Sequence, residues 1–246
     1  MKLKSKFNKR QKEIIIEAIQ ACINLSKGKK WFKERKCKFK KIFDKIENLS
    51  KGTVQVFLGT KKTEKRSCWI IFEGSSSEEP NNADWHHNFK FKLITKKIKT
   101  KIKVHTGLLQ YYRMVKKGIL KAVKEFDIVY IIGHSQGGGL ATLGAENIKF
   151  HYPTKEIICV PISSLRVGNN HFVKAYNKKV LQSYRIWYGD DTVTRVPPYL
   201  FGYRHVNQGI HLKKNYWLPW NWLTFIFSWP LDHFPDLVLT AAKKQL

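Results

Sequence analysis

The chain has 246 residues, 43% of them hydrophobic and eight of them Trp, and its 46 Lys and Arg outweigh 18 Asp and Glu for a formal net charge of +28. That much apolar material excludes a globally disordered chain, and the length fits one α/β domain. The charge favours a polyanionic partner, nucleic acid or an anionic lipid surface, and says nothing about fold.

The excess is uneven, with 21 basic and 6 acidic side chains in residues 1–66. Residues 1–50 read as a basic helical extension packed on the core, and 51–246 as the main domain. Ile15, Ile19, Cys22 and Ile23 recur at helical spacing and predict an amphipathic helix over 11–25, with a second basic helix around 31–48. The start carries a basic stretch, but Glu13, Glu17 and Gln20 interrupt what a secretory signal would keep apolar, so none is read. Cys22, Cys37, Cys68 and Cys159 form no C-x-x-C pair and no metal-type spacing; they read as reduced thiols, and neither metal nor cofactor is expected.

Further along, "TVQVFLG" (53–59) and "SCWIIFEG" (67–74) predict paired strands. Residues 76–90 are rich in turn formers, and "TKKIKTKIKVH" (95–105) alternates as an exposed strand would. Over 106–126 a helix is predicted from the apolar face of Leu108, Tyr112, Val115, Ile119, Val123 and Phe126. A buried strand (127–133), a helix (139–150), a strand (156–163), a helix (171–182) and a strand (183–189) follow. "YWLPWNWLTFIFSWPL" (216–231) is uncharged, but its 16 residues and two prolines fall short of the ~20 needed to span a bilayer, which leaves an interfacial patch or a pocket wall. The alternation of helices with apolar strands predicts an α/β fold with a mainly parallel sheet covered by helices on both faces.

"GHSQG" (133–137) fits G-x-S-x-G and stands where a strand ends and a helix begins. A nucleophile elbow needs that order, because a strained turn must expose the serine while small neighbours let strand and helix close around it. Ser135 is therefore the candidate nucleophile. A phosphate loop fits worse, since no Lys follows the glycines. A serine nucleophile needs a histidine base and a carboxylate to orient it, in the chain order Ser, acid, His. Asp190 and Asp191 follow the strand 183–189, and His205, His211 and His233 come later.

"IIFEGSSS", "KVHTGLL", "IIGHSQGGGLATL", "LRVGNNHFVKAYN" and "DDTVTRVPPYLFGYRHV" stand in the order and spacing of the fungal-type (class three) lipases. Over about residues 50–240 the chain resembles this α/β-hydrolase branch, which acts on acylglycerols and phospholipids. The resemblance implies Ser135 as nucleophile, Asp191 rather than Asp190 as acid, and His233 rather than His205 as base. It implies an oxyanion hole from the backbone N–H of Gln136 and from Ser75, whose hydroxyl can also donate. It further implies a lid over 76–90 presenting Trp85 and Phe89 to lipid.

Glu73, Gln136 and Leu165 depart from the family's usual Arg, Leu and Pro. The expected function is a serine ester hydrolase cleaving acylglycerols or phospholipids through an acyl-enzyme. A lipase-fold module with an impaired site, binding lipid or protein, is the alternative raised by Glu73. A lipid ester and an anionic membrane, met through the basic N-terminal region, are the expected partners, with a cytoplasmic or peripheral-membrane location. Nucleic-acid binding finds no motif and no aromatic interleaving beyond Trp31 and Phe32.

Overall fold

A computed structural model describes residues 7–25, 42–74, 93–95, 101–207, 209–214 and 232–246. The elements are α1 (Lys9–Leu25), β1 (Lys45–Asn48), β2 (Val56–Thr60), β3 (Ser67–Phe72), β4 (Leu93–Thr95), β5 (Lys103–His105), α2 (Thr106–Ala122), β6 (Ile128–His134) and α3 (Gln136–His151). Then come β7 (Glu156–Ile162), β8 (Gly168–Asn169), α4 (Asn170–Lys179), β9 (Gln182–Ser183), β10 (Ile186–Tyr188), β11 (Tyr203–Arg204), β12 (Ile210–Leu212) and α5 (Pro235–Gln245).

The main sheet runs β1-β2-β3-β6-β7-β10-β12, with β9 beside β7. From β3 to β12 its pairings are parallel, and β1, β2 and β3 meander antiparallel at one edge. The apolar runs of β3, β6 and β7 are continuous because both faces are covered. Cys68, Ile70, Phe72, Val129, Ile131, Ile157 and Cys159 point into one core with α2, α3 and α4. Trp69, Ile71, Tyr130, Ile132, Ile158, Val160 and Ile162 point into the other, with α1 and α5. Trp69 is fully buried and stacks on Tyr130 at 4.3 Å between ring centroids. Full burial of such a side chain stabilises by about 1.5–3 kcal/mol. Cys22, Cys68 and Cys159 are free thiols in these cores, where burial raises their pKa values, to about 12 for Cys68 and Cys159.

Among its described residues the N-terminal segment contributes one helix and one edge strand. Ile14, Ile15, Ala18, Ile19, Cys22 and Ile23 bury one face of α1 against the sheet and α5, so this helix is a layer of the fold. Residues 45–48 pair with β2 as an edge strand, where the sequence pattern suggested the end of a second helix. The unpaired edge of β2 is satisfied by this strand, whose Ile46 packs on the α1 core. A boundary at residue 50 would therefore cut a hairpin; the rest of that expected helix, 31–41, lies outside the described residues.

A small antiparallel sheet, β11-β8-β5-β4, sits apart from the main one. Leu93 pairs with His105 and Thr95 with Lys103, so the chain reverses within the segment expected as one exposed strand.

Candidate active site

The parallel strands end along one edge, and β6 delivers Ser135 there. Ser135 has φ 56° and ψ −124°, a conformation L-residues rarely adopt, which costs about 1–3 kcal/mol and survives only where the surroundings dictate it. Its N–H donates to the Ile162 carbonyl (2.9 Å), and its own carbonyl accepts from Gly138 N–H (3.0 Å), opening α3.

The flanking glycines are required by space. A Cβ on Gly133 would lie 2.2 Å from the Gly137 carbonyl oxygen, and one on Gly137 would lie 2.6 Å from that of Glu73. Strand end, turn, helix start and the end of β3 thus pack backbone against backbone. Gln136 is the first residue of α3, so its N–H stands at the positive end of the helix dipole. Gly74 abuts the His134 carbonyl and is the last described residue before Ser75. Ser75, Trp85, Phe89, the expected lid and the aromatic stretch 216–231 lie outside the described residues. Glu73 is partly buried, and its N–H donates to the Gln55 carbonyl at 3.1 Å.

Asp191 follows β10 and is buried. It caps the 3-10 turn Thr192–Arg195, with one carboxylate oxygen accepting from Val193 N–H at 3.0 Å and its carbonyl from the Thr194 hydroxyl at 2.6 Å. His233 Nδ1 lies 3.1 Å from both carboxylate oxygens of Asp191. Two carboxylate acceptors require Nδ1 to be the donor, so the neutral ring is the tautomer with its lone pair on Nε2.

Asp190 diverges from its neighbour, its carboxylate pairing with Arg195 at 3.6 Å. His205 donates from Nε2 to the Thr194 carbonyl at 2.5 Å and so props the acid's turn. Burial, helped by the charge of Arg185, pushes its pKa down to about 3. His211 stacks on Trp187 at 5.0 Å and contacts the Gly189 carbonyl at 2.8 Å. Of the three candidate histidines, His233 is the one the fold brings to Asp191.

Further residues, unmarked by the sequence reading, hold His233 in place. His134 Nε2 donates to the His233 carbonyl at 2.7 Å, and the two rings sit 4.5 Å apart. Burial, with the His233 ring beside it, pushes His134 down to about 3, so it stays neutral. Asp232 is buried, forms an ion pair with Lys214, and accepts the Asp190 N–H at 2.9 Å. Gly189, at φ 54°, makes room for it, since a Cβ there would lie 2.4 Å from an Asp232 carboxylate oxygen. Their signals were present but mute: His134 fills a variable place in G-x-S-x-G, and Asp232 merely precedes a histidine. Among the described residues no group of three or more His, Cys, Asp and Glu side chains could hold a metal ion.

Comparison with known proteins bears on the same frame. The profile of the family described as lipase (class 3) matches residues 69–201, more than half of the chain. A secreted mono- and diacylglycerol lipase of Fusarium solani is 34% identical over 146 residues, 56% of this chain and 41% of the relative. A chloroplastic phospholipase A(1) of Arabidopsis thaliana is 32% identical over 107 residues, 38% of this chain and 24% of the relative. The chain thus spans less than half the length of these curated relatives. A Rhizomucor miehei lipase solved with its propeptide superposes with a TM-score of 0.66 at 19% identity, covering 85% of this chain and 70% of that one. A triacylglycerol lipase whose catalytic centre is described as a serine protease triad superposes at 0.63 and 20% identity, covering 83% and 79%. These likenesses establish the α/β-hydrolase fold. With the profile lying across the elbow and the Asp191 turn on that fold, the chain belongs to the class 3 lipase family.

Proposed function

We propose that the protein is a serine hydrolase of carboxylic esters acting on lipids, acylglycerols or phospholipids, with Ser135, Asp191 and His233 as its triad. The observation that carries this reading is a strained Ser135 at the strand-to-helix elbow, whose neighbour His134 bonds the backbone of a histidine held through Nδ1 by a buried carboxylate. Ser135 Oγ attacks the acyl carbonyl carbon as its proton passes to His233 Nε2. Asp191 keeps the imidazole in the tautomer that can accept that proton and stabilises the resulting cation.

The carbonyl oxygen becomes an oxyanion facing the Gln136 N–H at the positive end of α3, with Ser75 the second donor that the family resemblance implies. The tetrahedral intermediate collapses, the ester C–O bond breaks, and the leaving alkoxide takes the proton from His233. Water, deprotonated by the same nitrogen, then attacks the acyl-enzyme and releases the fatty acid. The substrate class is supported by the lipid enzymes among the relatives. Peripheral attachment to an anionic surface suits the net charge, and among the described residues no helix is long and apolar enough to cross a membrane.

The test is hydrolysis of a triglyceride, diglyceride and phospholipid panel by the wild type and Ser135→Ala, with fluorophosphonate labelling of both. Loss of turnover and label in a folded Ser135→Ala protein is expected. Labelling that persists in that variant overturns the assignment.

A further inference from the structure

After the acid's turn the chain runs through Pro197 and Pro198 into a 3-10 turn, Tyr199–Phe201, closed by Gly202 at φ 82°. Turns at a surface normally carry small or polar residues. Here three large apolar side chains face outward: Tyr199 is 59%, Leu200 93% and Phe201 61% exposed. Single exposed apolar residues need no explanation, but three in succession form a patch that marks an interaction site.

The apex is held rigid. The Arg204 guanidinium sits 3.0 Å from the Tyr199 ring centroid, and its Nη1 donates to the Tyr199 carbonyl at 2.9 Å. Arg166 Nη1 donates to the carbonyls of Arg195 and Pro197, 2.8 Å for the latter, which fixes the base of the turn. Ordering costs that a flexible loop would meet on binding are already met in the fold.

The surroundings select the partner. Residues 192–214 contain Arg195, Arg204, Lys213 and Lys214 and no Asp or Glu; with Asp190 set against Arg195 and Asp232 against Lys214, Arg166, Arg204 and Lys213 still leave the neighbourhood net positive. Arg166, Arg195 and Arg204 are near enough that, after burial, the charges of Arg204 and Arg195 are what lower the Arg166 pKa. Two copies meeting through this apex would bring like charges together, whereas an anionic bilayer offers hydrocarbon for the side chains and phosphates for the arginines.

We propose that Tyr199–Leu200–Phe201, flanked by Arg195 and Arg204, is an insertion point by which the protein docks on an anionic phospholipid surface. The choice of partner rests on the lipid-hydrolase reading. The location of the contact is new: the basic N-terminal segment, where charge alone would put it, spends the apolar face of α1 inside the core.

The test separates docking from turnover. Full-length Ser135→Ala protein, which would leave the lipid uncut, is sedimented with vesicles of phosphatidylcholine alone or mixed with phosphatidylglycerol. Adding Leu200→Asp and Phe201→Asp should lower the partition coefficient at least about tenfold on both. Arg195→Gln should lower it about fivefold on the mixed vesicles only. In parallel, Leu200→Asp with Ser135 intact should hydrolyse a water-soluble short-chain ester at the wild-type rate.

Equal vesicle binding with and without the aspartates overturns the proposal. So does a concentration-dependent dimer that the aspartates abolish while vesicle binding holds, which would identify a second copy as the occupant. Vesicle binding that depends on Leu200 in a protein without esterase activity would leave the docking surface standing and remove the hydrolase reading instead.

Discussion

The two halves of the site are held by different physics. On the nucleophile side, Ser135 is placed by backbone packing: Gly133, Gly137 and the end of β3 approach so closely that no side chain fits between them. On the acid–base side, segments around residues 191, 214 and 233 are joined by charge: Asp191 to His233, Asp232 to Lys214, and Asp232 to the Asp190 N–H. His134 is the bridge, since it belongs to the elbow and bonds the carbonyl of the base. A site built this way should fail differently when each half is disturbed.

The largest effect is expected from Asp191→Asn. The amide cannot hold the imidazole in its proton-accepting tautomer, and the rate on a soluble ester should fall roughly 10⁴-fold, about 5.5 kcal/mol of transition-state stabilisation. Asp190→Asn breaks only a part-exposed pair with Arg195 and should stay within about fivefold of the wild type. Comparable losses in the two variants would mean that the carboxylates share the role.

Next in size is Lys214→Met. It leaves the buried Asp232 carboxylate without its cation, which should cost about 3–5 kcal/mol of stability, read from the denaturation midpoint in urea. Adding Asp232→Asn removes the stranded charge while keeping an acceptor for the Asp190 N–H, and should restore part of the loss. A single variant within about 1 kcal/mol of the wild type would show that the clamp is not electrostatic.

Gly137→Ala probes the other half. The new methyl would meet the carbonyl oxygens of Glu73 and Phe72 at 2.6 and 2.7 Å, both backbone atoms that cannot rotate away. Overpacking of this kind costs about 1–3 kcal/mol. Because the strain falls on the elbow, fluorophosphonate labelling of Ser135 should drop further than stability does. An unchanged labelling rate would show that the turn tolerates what the geometry forbids.

The contrast also explains what the sequence made legible. The elbow lies within residues 128–151, where strand, glycines, serine and helix follow one another, so local pattern and fold coincide. Asp191 could be reached as a carboxylate after a strand, but its choice over Asp190, and that of His233 over His205, came from family resemblance. In the structure Asp191 caps its own turn and lies against His233, while Asp190 points to Arg195. Lys214 and Asp232 stand far apart in sequence and carry no periodic or motif signal. The sequence of edge strand β1 reads equally as helix because its charged residues suit either, and only the open edge of β2 decides between them.

The last effect concerns pH, is smallest when read one histidine at a time within a single pH unit, and links the two halves through their buried imidazoles. His134 and His205 have pKa values near 3 and His105, which caps α2, near 4, each lowered first by burial. In the unfolded chain all three return to about 6.5. Between pH 6.5 and 5 the unfolded chain therefore binds protons that the folded one refuses, so stability falls as pH falls, by up to about 1.4 kcal/mol per pH unit for each histidine once the pH lies below its unfolded pKa. Carboxylates with lowered pKa values, such as Glu64 beside Arg10, lose their contribution only as pH drops below the ordinary carboxylate range, which leaves this window to histidine. Urea unfolding at pH 7, 6 and 5 should show the decline. His205→Gln, whose amide can still donate to the Thr194 carbonyl, should flatten it by about one histidine's share. Stability level across that window would show that these imidazoles are not held neutral, and an unchanged slope in His205→Gln would show the same of His205 alone.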